Sequence, residues 1–106
     1  MIREINVSEL TEIIREMCIQ ANYYLSPDME ERLQQAAETE ESPLGRKILF
    51  QLQENLEIAS SEMIPICQDT GMAVIFMEIG QDVHFTGGDF EEAVNEGVRL
   101  GYLDGY

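Results

Sequence analysis

Two Ser-Pro steps, Ser26-Pro27 and Ser42-Pro43, cut residues 1–63 into three helical stretches and leave little room for anything else there. A serine before proline suits a helix start, because its hydroxyl can take an orphan N–H and proline costs no donor in the first turn. Asp28, Glu30 and Glu31 then stand where a helix dipole favours negative charge. Upstream of the first step, Val7, Leu10, Ile14, Met17, Cys18, Ala21, Tyr24 and Leu25 recur at steps of three and four. That is one stripe of a helix from about Ser8 to Leu25. Between the steps, Met29, Leu33, Ala36 and Ala37 form a short apolar edge, closed by the acidic turn Glu38 to Glu41. After the second step, Leu44, Ile48, Leu49, Leu52, Leu56, Ala59 and Met63 make a longer stripe ending before Pro65. Short links predict that the three helices pack as one bundle.

The character of the chain changes at Pro65. Met72 to Ile79 is almost wholly apolar, carries β-branched and aromatic residues, and lies between Gly71 and Gly80. It reads as a mostly buried strand. Asp82 to Thr86 offers a second short strand, and Gly87-Gly88 a turn. Asp89 caps a last helix with Glu91 and Glu92 in its first turn. Gly97, Gly101 and Gly105 lie a helical step of four apart, each costing roughly 1 kcal/mol against alanine. Such a row predicts another element passing close to that backbone. This helix runs to the last residue with no capping signal, and so reads as cut rather than finished. The expected fold is α+β and mostly α. It comprises a helical bundle over 1–63, a loop with one or two strands over 64–88, and a helix over 89–106, in a single domain of 106 residues.

With 21 acids against 6 bases, the net charge is −15. Nucleic acid is an unsuitable partner, since phosphate neutralisation needs clustered Lys and Arg. The longest apolar run, Ala73 to Phe76 extended by Met72 and Met77, is too short to span a membrane, and the N-terminus has neither the basic nor the apolar part of a signal peptide. A cytoplasmic location is expected. Two cysteines make no disulfide framework, and with His84 the only histidine they make no zinc site.

Cys18 falls on the first helical stripe and is expected in the core, where thiols often reside. His84, on a half-exposed strand, reads as an ordinary strand residue. Cys67 differs: it lies in a loop between helix and strand, bracketed by Pro65 and Gly71 and followed by Gln68, Asp69 and Thr70. Loops at strand ends carry chemistry more often than core positions do. Gln68 brings a donor and an acceptor, Asp69 an acceptor or a proton, and Thr70 a hydroxyl. Composition alone leaves Cys67 open between a metal ligand and a buried structural thiol.

The run Ile64-Pro65-Ile66-Cys67-Gln68-Asp69-Thr70-Gly71 resembles the first cysteine motif of the class I, iron–sulfur fumarases and L(+)-tartrate dehydratases. Gly97-Val98-Arg99-Leu100-Gly101-Tyr102 resembles the helix after the cluster strand in the α subunit of the two-chain enzymes, and the short arm before the cysteine is similar to that subunit's. The resemblance implies a hydro-lyase that hydrates fumarate reversibly to (S)-malate, or one that dehydrates L(+)-tartrate, with a [4Fe–4S] cluster on three cysteines. It makes Cys67 one cluster ligand and Gln68 and Asp69 substrate contacts, with Asp69 handling the hydroxyl proton. The other two cysteines, and the arginines that grip a dicarboxylate, are not in this sequence. On this reading the chain is an N-terminal fragment, inactive and without a cofactor by itself. A β subunit of the same enzyme and a second copy of the chain are its expected partners. A non-enzymatic acidic interaction domain is the remaining alternative.

Overall fold

The computed structural model describes residues 1–67 and 71–105. In chain order these form β1 (Arg3–Asn6), α1 (Val7–Tyr23), α2 (Pro27–Thr39), α3 (Pro43–Glu62), β2 (Val83–Thr86) and α4 (Phe90–Gly105). The fold is α+β and mostly helical, as expected. The chain divides into two compact units, one of Met1–Gln20 with Gly71–Tyr106 and one of Ala21–Thr70.

In the first unit, β1 and β2 pair in parallel, with Arg3 opposite Val83 and Asn6 opposite Thr86. The N–H of Arg3 extends the ladder to the carbonyl of Asp82 at 2.8 Å. β2 alternates as a half-covered strand should, with Val83 and Phe85 turned inward and His84 and Thr86 exposed. The four residues of β1 carry one apolar side chain, Ile5, too few for a pattern; pairing with β2 makes them a strand. Asn6 then turns the chain into α1 by accepting the Ser8 N–H at 2.9 Å. Gly87 has φ of +86°, and a Cβ there would meet the Asn6 side chain at 2.7 Å, so the turn after β2 admits only glycine without rearrangement.

The glycine row of α4 faces α1. A Cβ on Gly97 would lie 2.7 Å from the Thr11 carbonyl oxygen and 2.8 Å from Ile14 Cβ. On Gly101 it would lie 2.8 Å from Cys18 Cβ, and on Gly105 2.9 Å from Ile19 Cγ1. The element expected to pass close to the glycines is therefore α1. Val7, Ile14 and Ala93 are buried in this unit, and the Phe85 and Phe90 rings stack at a tilt with centroids 4.8 Å apart. Thr11 donates its hydroxyl to the Ala93 carbonyl at 2.8 Å. Arg15 ties α1 to α4 through Asp104 at 2.8 Å, and the cap of α4 is Asp89, which accepts the Glu92 N–H at 3.0 Å.

In the second unit α2 packs on α3. Tyr23 and Ala59 are its buried apolar residues, and Tyr24 reaches the Met63 sulfur at 3.6 Å. Ser42 accepts the Gly45 N–H at 3.2 Å, as a serine N-cap should. Ser26 does not: its side chain makes no capping bond and is bonded instead to the Asp28 carboxyl, holding that group below the usual carboxylate range.

Within the second unit α2 pairs with α3, and within the first the stripe of α1 at Ile14 and Cys18 is used against α4. One expectation changes. The segment Met72–Ile79 is neither a strand nor buried. Met72, Val74 and Phe76 are 79%, 68% and 92% exposed. A strand needs a neighbouring backbone, and among the described residues the ladder partner of β2 is β1. No described helix is long and apolar enough to cross a membrane.

Candidate functional site

α3 ends abruptly. Met63 adopts the left-handed conformation at φ 54°, ψ 51°, a placement glycine usually takes, and its N–H bonds back to the Ala59 carbonyl. The Ile64 N–H shares that carbonyl at 3.1 Å. The helix stops there, and the ring of Pro65 fixes that residue's own φ.

Ile66 is then held from both sides. Its N–H donates to the carbonyl of Asn22, in the last turn of α1, at 2.7 Å. Its own carbonyl accepts Nδ2 of Asn55, on α3, at 2.9 Å. Both peptide planes around Ile66 are thus tied down, and the second of them leads into Cys67. Cys67 itself is exposed.

Cys67 lies on the rim of an open cleft of about 670 Å³ shared with Ile48, Gln51, Leu52, Asn55, Pro65 and Ile66. Among the described residues no charged side chain lines it. An iron–sulfur centre bound by thiolates carries net negative charge, so an uncharged lining suits one. Cys67 fits as one corner of such a centre. It does not make a full donor set, for no three His, Cys, Asp or Glu among the described residues converge on a point that could hold a metal. A larger concavity of about 820 Å³ in the first unit is lined by Leu10, Ile13, Met77 and Ile79, with Arg3 and Glu78 at its edge; it includes no cysteine or histidine.

Gln68, Asp69 and Thr70 lie outside the described residues, so the geometry of their predicted roles is not part of this site. Cys18 is half-buried against Gly101, and burial pushes its thiol pKa up, as befits a core thiol. His84 is an exposed residue of β2. Sequence reasoning passed over Asn55 and Asn22, which anchor the loop. Asn55 falls between Leu52 and Leu56 of the α3 stripe, where a polar residue reads as surface, and Asn22 acts through its backbone.

Comparisons with known proteins give the family. The chain is 29% identical over 92 residues to a Methanocaldococcus jannaschii protein provisionally named L(+)-tartrate dehydratase subunit alpha, covering 86% of this chain and 32% of that protein. It is 31% identical over 104 residues to the anaerobic class I fumarate hydratase of Escherichia coli K12, covering 97% of this chain and 19% of the enzyme. The L(+)-tartrate dehydratase subunit alpha of the same organism is 30% identical over 74 residues, covering 70% of this chain and 24% of that subunit. The chain thus spans less than a third of the length of these relatives. No solved structure gives a significant match. The family model described as fumarate hydratase (Fumerase) matches residues 11–106, nearly the whole sequence, and the chain belongs to that family.

Proposed function

We propose that this chain is the N-terminal part of a [4Fe–4S]-dependent hydro-lyase that hydrates fumarate reversibly to (S)-malate. The observation that carries the reading is Cys67, presented by an anchored loop in a cleft that no charged side chain lines among the described residues. Family membership supplies the reaction class. When bound, the cluster supplies a Lewis-acidic iron for the substrate's hydroxyl and carboxylate. Cys67 contributes one thiolate ligand, aimed by the Ile66 peptide. Gln68 and Asp69 contact the substrate, and Asp69 would take a proton from the water that adds in hydration and give one to the hydroxide that departs in dehydration.

A net charge of −15 leaves this part unsuited to gripping a dicarboxylate, so the cationic groups of the site come from the rest of the enzyme. One thiolate does not hold a cubane, and the 106-residue chain alone is therefore inactive and without a cluster. Thiolate ligation also suits a reducing compartment, so a cytoplasmic location goes with this reading. The names of the tartrate dehydratase relatives, which are α subunits, favour a β subunit as partner.

L(+)-tartrate is the second substrate to consider, because relatives of both names match this chain at almost the same identity. The test is an anaerobic assay of the longer protein, with any β subunit, on fumarate and on L(+)-tartrate. Malate formed from fumarate well above oxaloacetate formed from tartrate supports the first reading, and the reverse ranking selects the second. Turnover of neither by iron-loaded protein sinks both.

A further inference from the structure

We propose that Asn55 is a positioning residue for Cys67, acting through the peptide between Ile66 and Cys67; this rests on the reading of Cys67 as a cluster ligand. The carbonyl of Ile66 and the N–H of Cys67 belong to one rigid peptide plane. Asn55 Nδ2 holds that carbonyl at 2.9 Å, while the Asn22 carbonyl holds the Ile66 N–H at 2.7 Å. Both distances are those of well-formed N–H···O bonds. With φ of Pro65 fixed by its ring, the backbone leading to Cys67 has few free torsions left. The position of the Cys67 Cα, from which the thiol projects, is therefore set from α3 and from the end of α1.

The partners suit the task. Asn22 is in the last turn of α1, where carbonyls have no acceptor role within the helix and are open to other donors. Asn55 sits two turns before the C-terminus of α3, on the helix whose end delivers the loop, so the clamp closes a short circuit: α3, Met63, Pro65, Ile66 and back to α3. Only a side chain that donates does this, because the group it meets is a carbonyl. Asn55 also lines the same cleft as Cys67, so removing it loosens the loop and widens the cleft at once.

The test uses the longer protein, with Asn55→Ala, Asn55→Asp and Asn55→Gln. Amide exchange is followed at Ile66, whose N–H is the other half of the clamp, and the visible absorption of the reconstituted iron–sulfur protein is followed in air. Asn55→Ala is expected to speed Ile66 exchange about two- to fivefold, the worth of one hydrogen bond, with amides inside α3 unchanged. Asn55→Asp, which keeps the size and loses the donor, behaves like Asn55→Ala, and Asn55→Gln restores part of the protection. Loss of the iron–sulfur absorption accelerates in the same order. Unchanged Ile66 exchange in Asn55→Ala overturns the clamp. Faster exchange with an unaltered absorption lifetime overturns the positioning role while leaving Cys67 as a ligand. Retention of the cluster in Cys67→Ser overturns the ligand reading itself, and with it the purpose assigned to Asn55, whatever Ile66 exchange shows.

Discussion

At Gly97 and Gly101 the cost of a missing side chain and the cost of an added one oppose each other. At an open helix site alanine would gain roughly 1 kcal/mol over glycine. Here an added Cβ falls on the Thr11 carbonyl and Ile14 at Gly97, and on Cys18 Cβ and the Arg15 carbonyl at Gly101. Overpacking of about 1–3 kcal/mol then outweighs propensity, so both alanine variants destabilise. Gly105 meets the Ile19 side chain, which can move, so Gly105→Ala costs least. Urea denaturation checks that order, and a stabilised Gly97→Ala would contradict the packing of α1 on α4. The two thiols should also separate in reactivity. Cys18 is half-buried with its pKa raised by desolvation, whereas Cys67 is exposed. In apo-protein near neutral pH, iodoacetamide should label Cys67 first, and mass spectrometry of the peptides reads the order. A raised folded pKa means that the contribution of Cys18 to stability is complete below the unfolded thiol value of roughly 8.5 and is lost as pH climbs through the folded value. Cys18→Ala should flatten that part of the alkaline stability profile.

The two Ser-Pro starts look alike in sequence and differ in the fold. Ser42 caps α3 through the Gly45 N–H, while Ser26 turns its hydroxyl to Asp28. Ser42→Ala should cost about 1 kcal/mol and Ser26→Ala a few tenths, measured by thermal unfolding; equal costs would contradict the assignment of the caps. Asp89→Ala, which removes the bond to the Glu92 N–H, belongs with Ser42→Ala. The helices were legible because periodicity, proline and acidic first turns all agree over long windows. β1 was not, since one apolar residue in four makes no pattern and a partner distant in sequence decides its state. Met72–Ile79 shows the opposite failure. Its composition is that of a strand covered on both faces, but composition does not provide the neighbour that the described residues lack. At the candidate site, the loop of Cys67 stands out in the sequence by its motif and the clamp on Ile66 does not, because a backbone carbonyl on Asn22 leaves no mark on the side-chain pattern.

On the scale of the molecule, the glycine face of α4 is no longer a reason to expect dimers, for α1 covers it. Met72–Met77 is a contiguous run of exposed apolar residues, with Phe76 at 92% exposure, and such runs mark sites of association. The 106-residue chain by itself should therefore self-associate through this segment, and Phe76→Ser should reduce the association seen by light scattering. A wild-type chain strictly monomeric at high concentration would contradict this. The central claim concerns the thiolate that the Ile66 clamp presents, and iron stoichiometry tests it most directly. Iron and acid-labile sulfide are measured in the anaerobically reconstituted longer protein as wild type, Cys18→Ser and Cys67→Ser. The account predicts a full cluster complement in wild type and Cys18→Ser, and its loss in Cys67→Ser. Wild-type iron and sulfide in Cys67→Ser would contradict it.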